Sequence, residues 1–337
     1  MQVHRSTGEP RIHEVEVGCG TRLRSVCEAC SDLYVGDARE VIRSGTTGGE
    51  ALTFLTFTPP GAETFGRVHS GPVKARRRRC GCRAWHPAHE VRIGTPLDPK
   101  SYDYGAAARF NARAGRLFAV ALQKLRRLTG LDLPYVRVVE FQKRGLVHFH
   151  ALVRGAVSQE MLALAVRGGT NPRSGRHIAA ARSGGFTFGP QCDARAVDDV
   201  RRASAYVRKL VAYATKAAGE DLPNGSAHAR SMADAAAWSV PCSDNHPTHC
   251  DDCRCGEAWR PDRRRGSCRR HVAARRGWGF RGHVFAASGA WGTRFAVLRA
   301  ARQEWAAGQS VRTGWVTVPR VPTGPAMRQR ALADPPG

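Results

Sequence analysis

Acidic residues are scarce in this chain: 28 Asp and Glu stand against 53 Lys and Arg in 337 residues, a formal net charge of +25. That imbalance sets aside the near-neutral metabolic enzyme as the default and makes a polyanion the expected partner. Nowhere do about 18 apolar residues run together, so no spanning helix and no membrane partner is expected. The opening MQVHRSTGEPRIHEVEV lacks the apolar centre of an export signal, and a cytoplasmic location is the expectation. An even cysteine count, the usual mark of a secreted disulfide framework, is also missing. The eleven cysteines fall in clusters with histidines nearby, which favours metal binding. What the chain does have is apolar content, 42%, enough to bury a core rather than remain a charged coil.

Length gives a prior of roughly two domains. Cys19, Cys27 and Cys30 lie in CGTRLRSVCEAC, ahead of an amphipathic stretch, SDLYVGDAREVIRS, that ends in GTTGGE. In ALTFLTFTPP threonines interleave with large apolar residues from Leu52 to Thr58 before two prolines stop the run. This reads as a largely buried strand. Arg76, Arg77, Arg78 and Arg79 run into Cys80, Cys82, His86 and His89. From Ala106 to Leu128 the spacing is helical, with Phe110, Leu117, Phe118, Leu122 and Leu125 on one broad face. Residues 168–190 read as loop, and Asp198 to Ala218 as helix. The stretch from Asp221 to Asp262 changes composition sharply, and beyond about Trp305 the chain is expected to fray.

Tyr135 to Val153 predicts a β-hairpin: YVRVVEFQ and LVHFHALV flank Lys143, Arg144 and Gly145, a short loop ending in the residue that best tolerates positive φ. Residues two apart in a strand share a face, so His148 and His150 point the same way and Phe149 enters the core. A three-residue loop sets Gln142 opposite Leu146, Phe141 opposite Val147 and Glu140 opposite His148. Two imidazoles and a carboxylate with open positions describe a site where a cation can polarise a phosphoryl oxygen. Taken alone, a His-x-His strand is more often a half-exposed surface than a metal site; the glutamate across the hairpin and the basic chain reverse that preference.

The run RRASAYVRKLVAYATKAAG carries Arg202, Tyr206, Lys209, Tyr213 and Lys216. Seven helical residues turn through about 700°, so the two phenols lie within about 20° of one another and about 10.5 Å apart along the axis. Each lysine follows its tyrosine by three residues and sits beside it. A phenol (pKa about 10) helped to ionise by neighbouring cations can attack phosphorus. The same pattern fits a core-facing tyrosine pair with solvated lysines.

FLTFTPP, then EFQKRGLVHFHALVRG, then AYVRK with YATKA, in that order, resembles the three motifs of HUH endonucleases, and more narrowly the replication initiators of actinobacterial rolling-circle plasmids and integrative elements. The similarity also takes in CGTRLRSVCEACSDLY, SYDYGAAARFNARAGRLF, WGFRGH and TRFAVLRAARQEW. The resemblance implies nicking of single-stranded DNA at an origin, a covalent link from tyrosine to the 5′ phosphate, a free 3′ hydroxyl that primes synthesis, and a second transesterification that closes the released circle. His148 and His150 match the metal pair, with Glu140 offered by the hairpin. Tyr213, with Lys216 beside it, matches the nucleophile, and Tyr206, near Lys209, the other tyrosine. The chain departs from the pattern in spacing, since its tyrosines are seven rather than four residues apart. An ungapped match from Tyr206 puts Leu210 at the second position and makes Tyr206 the nucleophile; the preference here is Tyr213.

The expected fold is α+β: a central antiparallel sheet of HUH endonuclease type with flanking helices and Cys/His zinc decorations. The expected organisation is a Cys-containing segment over 1–48, a nicking domain over 49–220 with a basic insertion at about 67–100, a Cys/His-rich insertion over 221–270 and a basic C-terminal segment over 271–337. Zinc candidates are Cys19, Cys27, Cys30, Cys80, Cys82, His86 and His89, and separately Cys242, His246, His249, Cys250, Cys253 and Cys255, since thiolates and imidazoles at short spacing suit zinc. The Cys pair that often precedes the Tyr-Asp-Tyr segment in such proteins is absent from PLDPKSYDY. Cys192 reads as a small buried residue. Mg²⁺ or Mn²⁺ is the expected catalytic ion. Arg76 to Arg79 and Arg202 are the expected phosphate contacts, to single- and double-stranded DNA at an origin, with host replication proteins as partners. A relaxase or transposase of the same chemistry, and a non-catalytic zinc-dependent DNA-binding regulator, are the alternatives.

Overall fold

The computed structural model describes residues 2–4, 10–11, 19–72, 79–198, 206, 211, 215, 226–239, 277–313 and 315–317. The chain divides into two compact units, one of Met1–Gly20 with Arg294–Gly337 and one of Thr21–Thr293. In the first, strand β1 (Gln2–His4) pairs antiparallel with both β2 (Pro10–Arg11) and the last strand, β10 (Trp315–Thr317). The helix before β10 runs from Phe295 to Thr313. The expected fraying after Trp305 therefore does not begin there, because Ala-rich sequence carries the helix on.

In the larger unit, helix α1 (Glu28–Ser44) precedes strand β3 (Leu52–Phe57). A short helix, α2 (Ala62–Phe65), and a long one, α3 (Tyr104–Thr129), lead to the hairpin of β4 (Tyr135–Phe141) and β5 (Val147–Arg154). Then come α4 (Gln159–Arg167), a small ribbon of β6 (Gly169–Thr170) and β7 (His177–Ile178), β8 (Asp193–Val197), α5 (Ala227–Ser239) and β9 (Phe285–Ala287). Five strands form one sheet in the order β8-β3-β5-β4-β9, every pair antiparallel. The α+β class and the antiparallel sheet are as the sequence indicates.

The sheet has two chemically different faces because strand side chains alternate. On one, Leu55, Phe57, Val139, Phe149 and Val153 meet Phe110, Leu117, Phe118 and Leu125 of α3, together with Leu162 and Val166 of α4. Phe118 packs edge-on to Phe57 at 5.2 Å and lies 5.3 Å from Phe149 between ring centroids. Each such fully buried side chain is worth about 1.5–3 kcal/mol. Asp103 caps α3 by accepting from the Ala106 N–H at 2.7 Å, and Gly130 ends the helix at φ +71°. The other face carries Phe54, Thr56, Glu140, His148, His150 and Arg195, as the register requires.

One polar residue interrupts the apolar face of α3. Asn111 is fully buried, donates from Nδ2 to the carbonyls of Gly145 at 2.8 Å and Trp278 at 2.7 Å, and accepts from the Val147 N–H at 2.9 Å. The hairpin turn is thus fastened to the long helix from beneath. Gly145 sits at φ +84°, and a Cβ there would press on Met232 of α5 at 2.8 Å. Tyr102 donates its hydroxyl proton to the Arg144 carbonyl at 3.1 Å.

Candidate metal centre and its neighbours

The hairpin register is Glu140 opposite His148, Phe141 opposite Val147 and Val138 opposite His150, and the Gln142 N–H donates to the Leu146 carbonyl at 2.9 Å. The pairing expected from a three-residue loop is the pairing found. One ligand atom from each of Glu140, His148 and His150 lies within 4.8 Å of the others. His150 Nε2 is 3.0 Å from Glu140 Oε2, and the two imidazole centroids are 4.6 Å apart. His150 is buried, whereas Glu140 and His148 are half-buried, so the group opens toward solvent from its His148 side. Gln142 Nε2 lies 3.2 Å from His148 Nδ1, and Gln142 Oε1 accepts from Arg144 Nε at 2.8 Å. Arg144 in turn donates to the Pro59 carbonyl at 3.1 Å. Those bonds orient the half-buried His148 ring from outside the ligand shell, as is usual around metal-binding imidazoles. The donor set fits a divalent cation: two neutral nitrogens and one carboxylate oxygen converge, with no lysine or arginine among them.

Phe54 of β3 extends this face. Its ring stacks on His150 with centroids 5.5 Å apart and, on the far side, on Tyr206 at 4.4 Å and 17° between planes. Tyr206 is helical and half-buried, so its phenol is neither sealed in the core nor on the wrong side of the sheet. Arg195, paired with Phe54 across the β3–β8 ladder, donates to Asp193 Oδ2, and the Tyr206 phenol is near enough to interact with its guanidinium. Arg195 is a residue that sequence reasoning missed. Its signal, an arginine two residues from an aspartate in a short edge strand, is common to many surface strands. Tyr213, Lys209, Lys216 and Arg202 lie outside the described residues, as do Arg76, Arg77 and Arg78; Arg79 is exposed.

A second ligand group brings together His69, Cys80, Cys82 and His86. Three of these were expected; His69 was not, and His89 is not in the group. Burial opposes ionisation of Cys80, yet the backbone N–H groups of Cys82 and Ser70, followed by the Cys82 and His69 side chains, bring its thiol down to about 5. Cys27 immediately precedes α1 and Cys30 lies in its first turn, while Cys19 belongs to the terminal unit. The later candidates, Cys242, His246, His249, Cys250, Cys253 and Cys255, are outside the described residues. Cys192 is buried, and its thiol is pushed up to about 11, by that burial above all. No helix among the described residues is long and apolar enough to cross a membrane.

Comparison with known proteins places this geometry. No solved structure matches the chain. A replication initiator protein of Streptomyces ambofaciens is 29% identical over 359 aligned positions that cover 90% of this chain and 75% of the relative. Residues 1–324 match the family described as replication initiator protein, pSAM2, named RepSA. The match takes in the sheet, the hairpin with its histidine pair and the Cys/His groups alike, and the chain accordingly belongs to the RepSA family of replication initiator proteins.

Proposed function

We propose that this initiator is an HUH-type, metal-dependent DNA strand transferase that nicks a plasmid-type origin through a covalent phosphotyrosine and so starts rolling-circle replication. The observation that carries the reading is the layered stack of Tyr206 on Phe54 on His150, which brings a phenol to the edge of a two-histidine, one-carboxylate group. Glu140, His148 and His150 would hold Mg²⁺ or Mn²⁺, which supplies Lewis-acid polarisation of a non-bridging phosphoryl oxygen. Phe54 touches both partners, stacking on the His150 imidazole and on the Tyr206 ring. Arg195 places a guanidinium beside the phenol, where it can meet the scissile phosphate.

The bond changes balance without any further reagent. The phenol oxygen forms a bond to phosphorus and loses its proton to solvent; the bond from phosphorus to the 3′ oxygen breaks, and that oxygen takes up a proton to become a free 3′ hydroxyl. Phosphotyrosine energy is conserved, so a second hydroxyl can reverse the step and rejoin strands. Tyr206 is the phenol whose position supports attack. Tyr213, the sequence preference, is kept as the second nucleophile, with Lys216 and Lys209 as their cationic neighbours. Arg79, with Arg76, Arg77, Arg78 and Arg202, supplies salt-sensitive phosphate contacts to the origin duplex and its extruded strand.

The test is incubation with single-stranded oligonucleotides tiling the cognate origin and Mn²⁺, followed by mass mapping of the adduct. A nucleotide on Tyr206, abolished by Tyr206→Phe, is expected. An adduct that forms unchanged in Tyr206→Phe would move the first attack to Tyr213. Full replication in a Tyr206→Phe/Tyr213→Phe double variant would overturn the enzyme reading in favour of a DNA-binding regulator.

A further inference from the structure

We infer that His69, Cys80, Cys82 and His86 hold one structural zinc ion, and that this ion braces the loop over 67–97 against the turn of the β4–β5 hairpin. The inference does not depend on the nicking chemistry. His69 Nδ1 is 3.3 Å from His86 Nε2, Cys80 Sγ is 3.7 Å from His69 Nδ1, and Cys82 Sγ is 3.1 Å from His86 Nε2. Tetrahedral zinc with bonds of about 2.3 Å to sulfur and about 2.0–2.1 Å to nitrogen sets these edges at roughly 3.3 Å for N to N and roughly 3.5 Å for S to N. The observed edges fall on either side of those values by a few tenths of an ångström.

The surroundings are those of a closed structural site. Cys80 and His86 are buried, and both cysteines are free thiols. His86 Nδ1 is buried with no hydrogen-bond partner among the described residues, and Glu90 Oε2 lies 3.9 Å from it, beyond hydrogen-bond reach. The Ser70 N–H points at Cys80 Sγ at 3.3 Å, as backbone donors do toward thiolates. A tight turn closes the knuckle, with Cys80 N–H donating to the Ala84 carbonyl and Arg83 N–H to the Cys80 carbonyl, each at 2.8 Å. Four protein ligands leave no open position, which separates this site from a catalytic one.

The brace follows from the ladder that contains His69. Its N–H donates to the Thr95 carbonyl and its carbonyl accepts from the Gly94 N–H, each at 2.8 Å, while the Leu97 N–H donates to the Arg67 carbonyl at 2.9 Å. Gly94, at φ +87°, lies so close to the hairpin turn that a Cβ would meet Lys143 Cβ at 2.4 Å and the Arg144 nitrogen at 3.0 Å. Beyond that turn, Arg144 and Gln142 orient His148. Zinc therefore joins His69, in the ladder that reaches the metal-binding hairpin through Gly94, to the turn that carries Cys80, Cys82 and His86.

Zinc content of the full chain, purified without chelator and measured by elemental mass spectrometry, is the test. His69→Ala and Cys80→Ser each lose one equivalent relative to the unaltered chain, whatever the other cysteine clusters hold, while His89→Ala loses none. His69→Cys, which exchanges one ligand for another, keeps the full content and separates ligand loss from misfolding. Unchanged content in His69→Ala, or loss of one equivalent in His89→Ala, overturns the ligand set. Amide exchange decides the brace: faster exchange at 142–146 in the zinc-depleted Cys80→Ser chain supports it, and unchanged exchange there overturns it. Tyr206→Phe keeps its zinc in either case, so failure of the nicking proposal is read separately.

Discussion

Replacing Asn111 by Ala removes the fastening between the long helix and the metal-binding hairpin. Three buried partners, the carbonyls of Gly145 and Trp278 and the N–H of Val147, lose bonds of 2.8, 2.7 and 2.9 Å. A buried group left unsatisfied costs about 1–3 kcal/mol. Water entering the vacated space recovers part of that for the two carbonyls, so about 3 kcal/mol in total is the working figure. In a unit of this size each kcal/mol moves the melting temperature by about 2–4 °C, giving a drop of roughly 6–12 °C. Urea unfolding followed by far-UV circular dichroism measures the first number and a thermal scan the second. Asn111→Leu, of similar volume, separates the polar loss from the cavity and is expected to recover less than half. A loss below about 1 kcal/mol for Asn111→Ala would refute the reasoning, because it would mean that the turn is held by its own hairpin bonds and the helix contributes nothing.

Other expectations bear on chemistry and pH. Arg195→Ala is expected to slow adduct formation about tenfold, since the guanidinium beside the half-buried phenol is lost; an unaltered rate contradicts a role for Arg195 at that phenol. Glu140→Ala removes the carboxylate 3.0 Å from His150 Nε2 and is expected to raise the Mn²⁺ concentration needed for half-maximal adduct by about tenfold or more, read by titration. His228 is buried beside Tyr102 and Tyr104, and its imidazole is held down at about 4 by that burial above all. Below about pH 6.5 the unfolded imidazole takes up a proton that the folded one refuses, so this group's contribution is complete above pH 6.5 and is lost as pH falls toward 4, by up to about 3 kcal/mol. His228→Gln should flatten the stability profile over that window in urea titrations; an unaltered slope would rule His228 out as its source.

The parts of the site that were legible in the sequence are those set by local geometry. A loop of three residues ending in Gly145 dictates its own register, so Glu140 opposite His148 follows from spacing alone. The alternation of β5 likewise separates His148 and His150 from Phe149. His69 was illegible because it lies eleven residues before Cys80, across the basic run Lys74 to Arg79, outside any short Cys/His spacing. His89 was the wrong neighbour to pair with Cys80 and Cys82: proximity in sequence suggested it, but the chain turns at 87–93 and leaves it outside the group. Asn111 carries no local signal, because its partners, Gly145 and Trp278, are 34 and 167 residues away. Phe54 read correctly as a strand residue, but nothing local announced that its ring would lie between an imidazole and a phenol.

The small terminal unit has a bearing on biosynthesis and handling. Its sheet joins Gln2–His4 to Trp315–Thr317, so the first strand made must wait for almost the last one before its ladder can close. During translation residues 21–293 are made while those opening residues are still without their mate, and the ladder can close only after residues 315–317 have emerged. Removing either Gln2–His4 or Trp315–Thr317 therefore strips the other strand of its ladder.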